Sequence, residues 1–242
     1  MNNNLINLNY RNWKDIEMEG DLMKKALIAG ATGMVGRELV EQLIKDASFD
    51  AVTVLVRNRV AAWDNHPRVE QVVVDFEQLD ALPPELFRGA FVFCTLGTTI
   101  KKAKTKDNFR RVDHDYPLGL GQLAERYGSD GVLVVTALGA NAKSAVFYNQ
   151  VKGRLEADLK ALNLSKLHLF QPSLLLGERE EHRTGEKFAM GLAKLLPGVL
   201  FGKYRPIAGR TVAQAMINVA NGVDAPETIT SNEIARIANR AP

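Results

Sequence analysis

The sequence predicts an α/β fold, a doubly wound parallel sheet covered by helices on both faces. Three observations carry that prediction. Short continuous runs of Val, Ile and Leu alternate with segments of helical periodicity along most of the 242 residues, as strands buried on both faces require. The first such run ends in a glycine-rich turn that opens onto an amphipathic helix. Hydrophobic residues make up 46% of the chain, enough for one core of this size.

Residues 24–37 read KKALIAGATGMVGR. Ala26, Leu27, Ile28 and Ala29 form the first strand, and Gly30, Gly33 and Gly36 follow at G-x-x-G-x-x-G spacing. Val35, Leu39, Leu43 and Ile44 then share one face of a helix. Glycine belongs where the backbone bends tightly and meets a ligand with no Cβ in the way. The helix start adds free N–H groups and the positive end of its dipole, so strand, turn and helix together make a seat for a pyrophosphate. A tight βα turn in a domain that binds no nucleotide would have the same pattern.

Further strands are expected over residues 51–57, 69–76, 89–99, 131–140 and 166–173, with helices over 105–127 and 147–162. Pro117 either kinks the first of these helices or divides it in two. Crossovers between parallel strands are right-handed, and ligands sit beyond the carboxyl ends of the strands. Those ends carry Gly30, Arg57, Asp75, Gly97 with Thr98, Thr136 with Ala137, and Pro172 with Ser173. Residues 174–206 read as substrate-side loops with a helix near 186–196. Helices over 211–220 and 232–239 return to the sheet. Residues 23–242 thus form a single Rossmann-type NAD(P)-binding domain. Residues 1–22 are an N-terminal extension: a tail, a leader, or an extra helix turning Trp13, Ile16 and Met18 inward.

Composition removes several function classes. A net charge of +3 is too small to imply nucleic acid or a membrane surface. The basic run Lys101, Lys102, Lys104, Lys106, Arg110 and Arg111 lacks the interleaved aromatics of a nucleic-acid face. It reads as a solvated helix start or as an attractor for a phosphorylated cofactor or acidic substrate. No apolar stretch is long enough to span a bilayer. The one cysteine, Cys94, forms no intrachain disulfide, which points to a reduced, cytoplasmic setting. The four histidines are scattered, so no metal site is expected.

An NAD site usually ends its second strand in an acid that accepts from the ribose hydroxyls. This chain has Arg57 there, and a guanidinium pairs with a 2′-phosphate. NADP(H) is the cofactor expected, unless Arg57 only faces solvent. Asp75 is placed to accept from an adenine amino group or, equally, to cap the segment after it. Tyr148 and Lys152 form Y-x-x-x-K. At i and i+4 they share a helix face, where a nearby ammonium lowers a phenol's pKa and prepares it for proton exchange with a carbonyl/alcohol pair. An ordinary pair on a helix surface has the same spacing. Thr136, twelve residues upstream, offers a hydroxyl to orient the carbonyl.

In order, the segments GATGMVG, LVRNR, VVDFEQL, FCTLGTT, RVDHDY, YNQVKG and QPSLLLGERE resemble the atypical short-chain dehydrogenase/reductases of the Tat-interacting protein oxidoreductase group. The resemblance implies an NADPH-binding Rossmann fold. It assigns Thr32, Gly33, Met34 and Val35 to the pyrophosphate, Arg57 and Asn58 to the adenosine phosphate, and Gly97 and Thr98 to the ribose. Tyr148 and Lys152 would hold the nicotinamide ribose, with Leu175 and Arg183 in the matching C-terminal stretch. This chain has Thr136 and Ala137 where the family carries serine, and Asn58 where relatives carry a second arginine. The expected activity is NADPH-dependent reduction of a small carbonyl compound, or its reverse on an alcohol. The alternative is an NADPH-binding regulator with a protein partner and little turnover.

Overall fold

The computed structural model describes residues 24–176 and 205–240. The N-terminal extension, Arg183 and the helix expected near 186–196 lie outside the described residues. The strands are β1 (Lys24–Ala29), β2 (Phe49–Val56), β3 (Val69–Val73), β4 (Ala90–Cys94), β5 (Gly131–Val135), β6 (Leu167–Gln171), β7 (Leu175–Leu176), β8 (Ile207–Ala208) and β9 (Thr228–Thr230). Seven of them form one sheet in the order β3-β2-β1-β4-β5-β6-β9. Every pairing within it is parallel, which confirms the doubly wound fold. The order turns back between β1 and β4, and that is where such sheets open a crevice for ligands.

The helices are α1 (Met34–Leu43), α2 (Ile100–Ala103), α3 (Lys106–Arg110), α4 (Tyr116–Tyr127), α5 (Phe147–Lys160), α6 (Gly209–Ala220) and α7 (Ser231–Ala238). Neighbouring residues of a strand point to opposite faces, and two cores result. Ile28, Val54, Phe93 and Phe170 pack with Leu39 and Leu43 of α1 and with Val212, Met216 and Ile234 of α6 and α7. Leu27, Leu55, Val92, Val134 and Leu169 pack on the other face with Leu120 and Leu123 of α4 and Leu155 and Leu159 of α5. A third, small cluster of Ala103, Phe109 and Val151, with Phe147 against it, joins α2 and α3 to the start of α5.

β3, β4, β5 and β6 are shorter than the runs that announced them, whereas β1 and β2 begin two residues earlier than expected. β3 stops at Val73 because Asp75 caps a short 3₁₀ segment. β4 stops at Cys94, where the chain leaves the sheet toward the crevice. β7, β8 and β9 have only two or three residues each, and the polar β9 carries no apolar run.

Pro117 neither ends the helix nor divides it by a loop. α3 runs through a π-helical turn, Arg111–Asp115, directly into α4, whose second residue is Pro117. Proline has no N–H for the carbonyl four residues back, and its ring crowds that carbonyl. A wider turn relieves both problems, and such turns recur at functional sites.

The three glycines of the turn do different work. Gly30 has φ +89°, and a Cβ there would meet the Thr95 backbone at 2.6 Å. A Cβ on Gly36 would lie 2.1 Å from the Gly30 carbonyl oxygen, so this glycine lets α1 pack against the end of β1. A Cβ on Gly33 would lie 3.3 Å from the Gly30 carbonyl oxygen and 4.0 Å from that of Thr95, a tight fit but no outright clash. Gly36→Ala should therefore lose about 3 kcal/mol or more, since the atoms its Cβ would meet all belong to backbone. Urea unfolding followed by circular dichroism measures it.

Candidate functional site

The crevice is built from strand ends. After β1, Thr32, Gly33 and Met34 are exposed while Val35 and Gly36 are buried. Gly33 is the N-cap of α1 and makes no side-chain cap bond. The first N–H groups of a helix have no partner within it, so the turn presents open donors and a positive dipole end. Arg57 and Asn58 follow β2 and are exposed. Arg59 is committed to Asp64 at 3.1 Å, whereas Arg57 forms no ion pair with any described residue. Asp75 acts as an N-cap, accepting from the Glu77 amide at 3.0 Å.

At the other side of the crevice lies a buried ion pair that the sequence did not announce. Lys152 Nζ stands 2.9 Å from Asp113 Oδ1, with the side chains 3% and 1% exposed. Asp113 comes from the π-turn before Pro117. Its second oxygen accepts from the Thr98 amide at 2.8 Å. Gly97 lies over the pair: a Cβ there would be 3.5 Å from Asp113 Oδ1 and 3.8 Å from Lys152 Nζ. One carboxylate thus holds the loop after β4 and the cation of α5. The sequence signal for it was Pro117 inside a helical pattern with an acid four residues before it.

Tyr148 sits one turn before Lys152 and is 37% exposed. Its ring packs on Phe109, with centroids 5.7 Å apart. Lys152 does not dominate its ionisation as the spacing had suggested. Burial pushes the phenol above the ordinary tyrosine value; Lys152 pulls it down, and Asp113 pushes it up again. For Lys152, burial works against the charge, but Asp113 and then Tyr148 outweigh it and hold the ammonium above the usual lysine range. Cys94, buried at the end of β4, is pushed up to about 11, chiefly by burial. It is a core thiol.

Thr136 is buried and its hydroxyl donates to Glu156 Oε1. The Gln171 amide donates to both Glu156 oxygens at 3.0 Å. A hydroxyl that orients a substrate carbonyl would have to release that carboxylate. Leu175 lies in β7, paired with Ile207 of β8. Met34, Ile100 and Val146 are exposed at 51%, 46% and 58%. They follow β1, β4 and β5, so apolar side chains border the crevice beside exposed Lys101, Lys102 and Lys104. A separate cavity of about 670 Å³ lies between α1, α6 and α7, lined by Glu38, Gln42, Arg210 and Gln214 among others. It includes none of the turn glycines, nor Lys152, Asp113 or Tyr148. No group of metal-ligating side chains occurs among the described residues.

Breaking the ion pair from one side should be costly. Asp113→Leu should lose about 3–5 kcal/mol by stranding a buried ammonium. Adding Lys152→Met should restore most of that loss, because an apolar pair then replaces a charged one. Denaturant midpoints of the two variants test this.

Comparisons with known proteins agree with the fold and with nucleotide binding. A model of an NAD(P)H-binding family matches residues 30–167. Protein HTATIP2 of Rattus norvegicus is 36% identical over 208 residues, covering 85% of this chain and 83% of the rat protein. Protein FMP52, mitochondrial, of Eremothecium gossypii is 33% identical over 202 residues, covering 81% and 88%. Among solved structures, a dTDP-glucose 4,6-dehydratase from Streptomyces venezuelae with NAD bound superposes at a TM-score of 0.63. It shares 18% identity, with 89% of this chain and 80% of that one covered. That likeness speaks for the fold.

The cytoplasmic setting expected from the lone cysteine is overturned. The Eremothecium relative and further fungal FMP52 proteins are named mitochondrial. A free thiol separates reducing from oxidising surroundings; it does not tell one reducing compartment from another. No helix among the described residues is long and apolar enough to cross a membrane. By the match over residues 30–167, and by its identity to HTATIP2 and FMP52 over four-fifths of its length, this chain belongs to the NAD(P)H-binding family.

Proposed function

We propose that the protein is an NADPH-dependent oxidoreductase of the atypical short-chain dehydrogenase type that reduces a small carbonyl compound. The observation that carries the reading is the placement of Tyr148, Lys152 and Asp113 across the crevice from the open donors of the glycine turn. The chemistry that NADPH would supply when bound is a hydride for the carbonyl carbon. Tyr148 gives its proton to the carbonyl oxygen and is reprotonated from water, so an alcohol leaves with oxidised cofactor behind it. The Lys152 ammonium holds ribose hydroxyls, and the turn amides at Thr32, Met34 and Val35 hold the pyrophosphate. Gly97 and Thr98 would flank the ribose, with the Thr98 amide held by Asp113. The apolar border at Met34, Ile100 and Val146 fits a nicotinamide and the apolar part of a small substrate.

A second reading has its own support. The Thr136 proton is committed to Glu156, and the next residue, Ala137, has no hydroxyl. A protein that binds NADPH as a regulator, with a protein partner and little turnover, would tolerate that arrangement. Oxidation of NADPH over a panel of aldehydes and ketones, beside a binding titration, separates the two readings.

Cofactor choice rests on Arg57. A charge-assisted contact to the 2′-phosphate is worth about 1.5–3 kcal/mol, so NADPH should bind at least about tenfold tighter than NADH. Arg57→Ala should remove most of that difference, as read by isothermal titration with both cofactors. Equal affinities in the parent protein would refute the assignment.

Proton transfer rests on Tyr148. Tyr148→Phe keeps the ring against Phe109 and removes the donor. Turnover should fall by about 10²- to 10⁴-fold with NADPH affinity little changed. A loss within about threefold would take proton donation away from Tyr148.

A further inference from the structure

The buried pair does more to the site than hold it together. Lysine beside a tyrosine favours the phenolate when its charge is unopposed. Here it is opposed. Asp113 Oδ1 lies 2.9 Å from Lys152 Nζ, both side chains are almost wholly buried, and the other Asp113 oxygen is fixed by the Thr98 amide. The carboxylate is held at both oxygens, Oδ1 beside the ammonium and Oδ2 on the Thr98 amide.

Four elements face this cluster. α5 supplies Tyr148 and Lys152, the π-turn supplies Asp113, and β4 supplies the buried, neutral Cys94 thiol. α3 supplies the uncharged Phe109 ring against Tyr148, while its Lys106 lies 5.2 Å above the neighbouring Phe147 ring. Lys152 and Asp113 are the two opposed charges that act on the phenol.

We propose that Asp113 is a positioning residue that pairs with Lys152 and so keeps Tyr148 protonated, which sets the site to donate a proton to a carbonyl rather than take one from an alcohol. This rests on the oxidoreductase reading for its meaning, but its test needs neither cofactor nor substrate. Burial of the phenol acts in the same direction as Asp113.

The test is a titration of the protein alone, with tyrosine ring carbons labelled and the Tyr148 resonance identified by its loss in Tyr148→Phe. In the parent, Tyr148 should remain mostly phenol at about pH 10, where free tyrosine is half ionised. Asp113→Asn keeps an acceptor for the Thr98 amide but removes the charge. It should lower the Tyr148 midpoint by on the order of one pH unit, the size of one charge acting over several ångströms at an effective dielectric of about 20. Asp113→Glu should restore the parent midpoint. Circular dichroism at each pH confirms that the variants are folded. A parent Tyr148 already half phenolate below about pH 10, or a midpoint unmoved in folded Asp113→Asn, overturns the proposal. If Asp113→Asn does not fold, the parent titration and Lys152→Met decide. Removing the cation and leaving the anion should move the Tyr148 midpoint up, and a midpoint that falls or stays overturns the proposal. Failure to bind NADPH would sink the oxidoreductase reading and leave this titration as it stands.

Discussion

The crevice depends on two opposite charges held out of water. Burying a carboxylate and an ammonium costs several kcal/mol for each ion, and their attraction repays that only with good geometry and further hydrogen bonds. Asp113 and Lys152 offset that cost by their proximity and by one further hydrogen bond to the carboxylate. They stand 2.9 Å apart, and the spare carboxylate oxygen is taken by the Thr98 amide. Three pieces of chain are thereby fixed to one another: the loop leaving β4, the π-turn ahead of α4, and α5. Without the pair, the loop over which a ribose would lie has no anchor of that strength.

A second polar anchor lies one turn further along α5. Lys152 and Glu156 are four residues apart and so share a helix face, and both are buried. Glu156 receives the Thr136 hydroxyl from the end of β5 and the Gln171 amide from the end of β6. The loop after β4 and the ends of β5 and β6 therefore all bind the same stripe of α5. Tyr148 is the next residue of that stripe toward the helix start, beyond the last polar anchor and resting on Phe109. It is the member of the series left partly open to the crevice, as a group that meets a substrate must be.

Much of this was legible in the sequence, for identifiable reasons. Six strands of the main sheet were placed, the central β1, β4 and β5 most directly because they are apolar and covered on both faces. β9 was missed because three residues, Thr228–Thr230, carry no period. The glycine turn and the Tyr148/Lys152 spacing are local patterns, so they could be read directly. The Asp113–Lys152 pair joins residues 39 apart across a π-turn, and no local rule finds it. Pro117 marked an irregularity in the helix but not the side chain that the irregularity would aim. The same distance explains the expectation of a lowered tyrosine pKa. Reading Lys152 beside Tyr148 gave the cation without its counter-charge. The compartment was misjudged because one cysteine reports on oxidation, not on address.

The glycine turn shows why a motif alone is weaker evidence than its setting. Gly30 and Gly36 are demanded by the packing of strand, helix and the neighbouring Thr95 backbone; a domain that bound nothing would need them equally. A Cβ on Gly33 would be tight only against the Gly30 carbonyl oxygen, at 3.3 Å, so packing demands this glycine less than the other two. The spacing of three glycines therefore contains two firm constraints from the fold and a third position that packing constrains less. What turns the pattern into a site is its position opposite the Asp113–Lys152 pair, where exposed backbone donors suited to phosphate and a buried cation suited to ribose hydroxyls border the same crevice. An α/β fold used only as a scaffold has no reason to desolvate a lysine at the carboxyl ends of its strands, beside a half-open phenol.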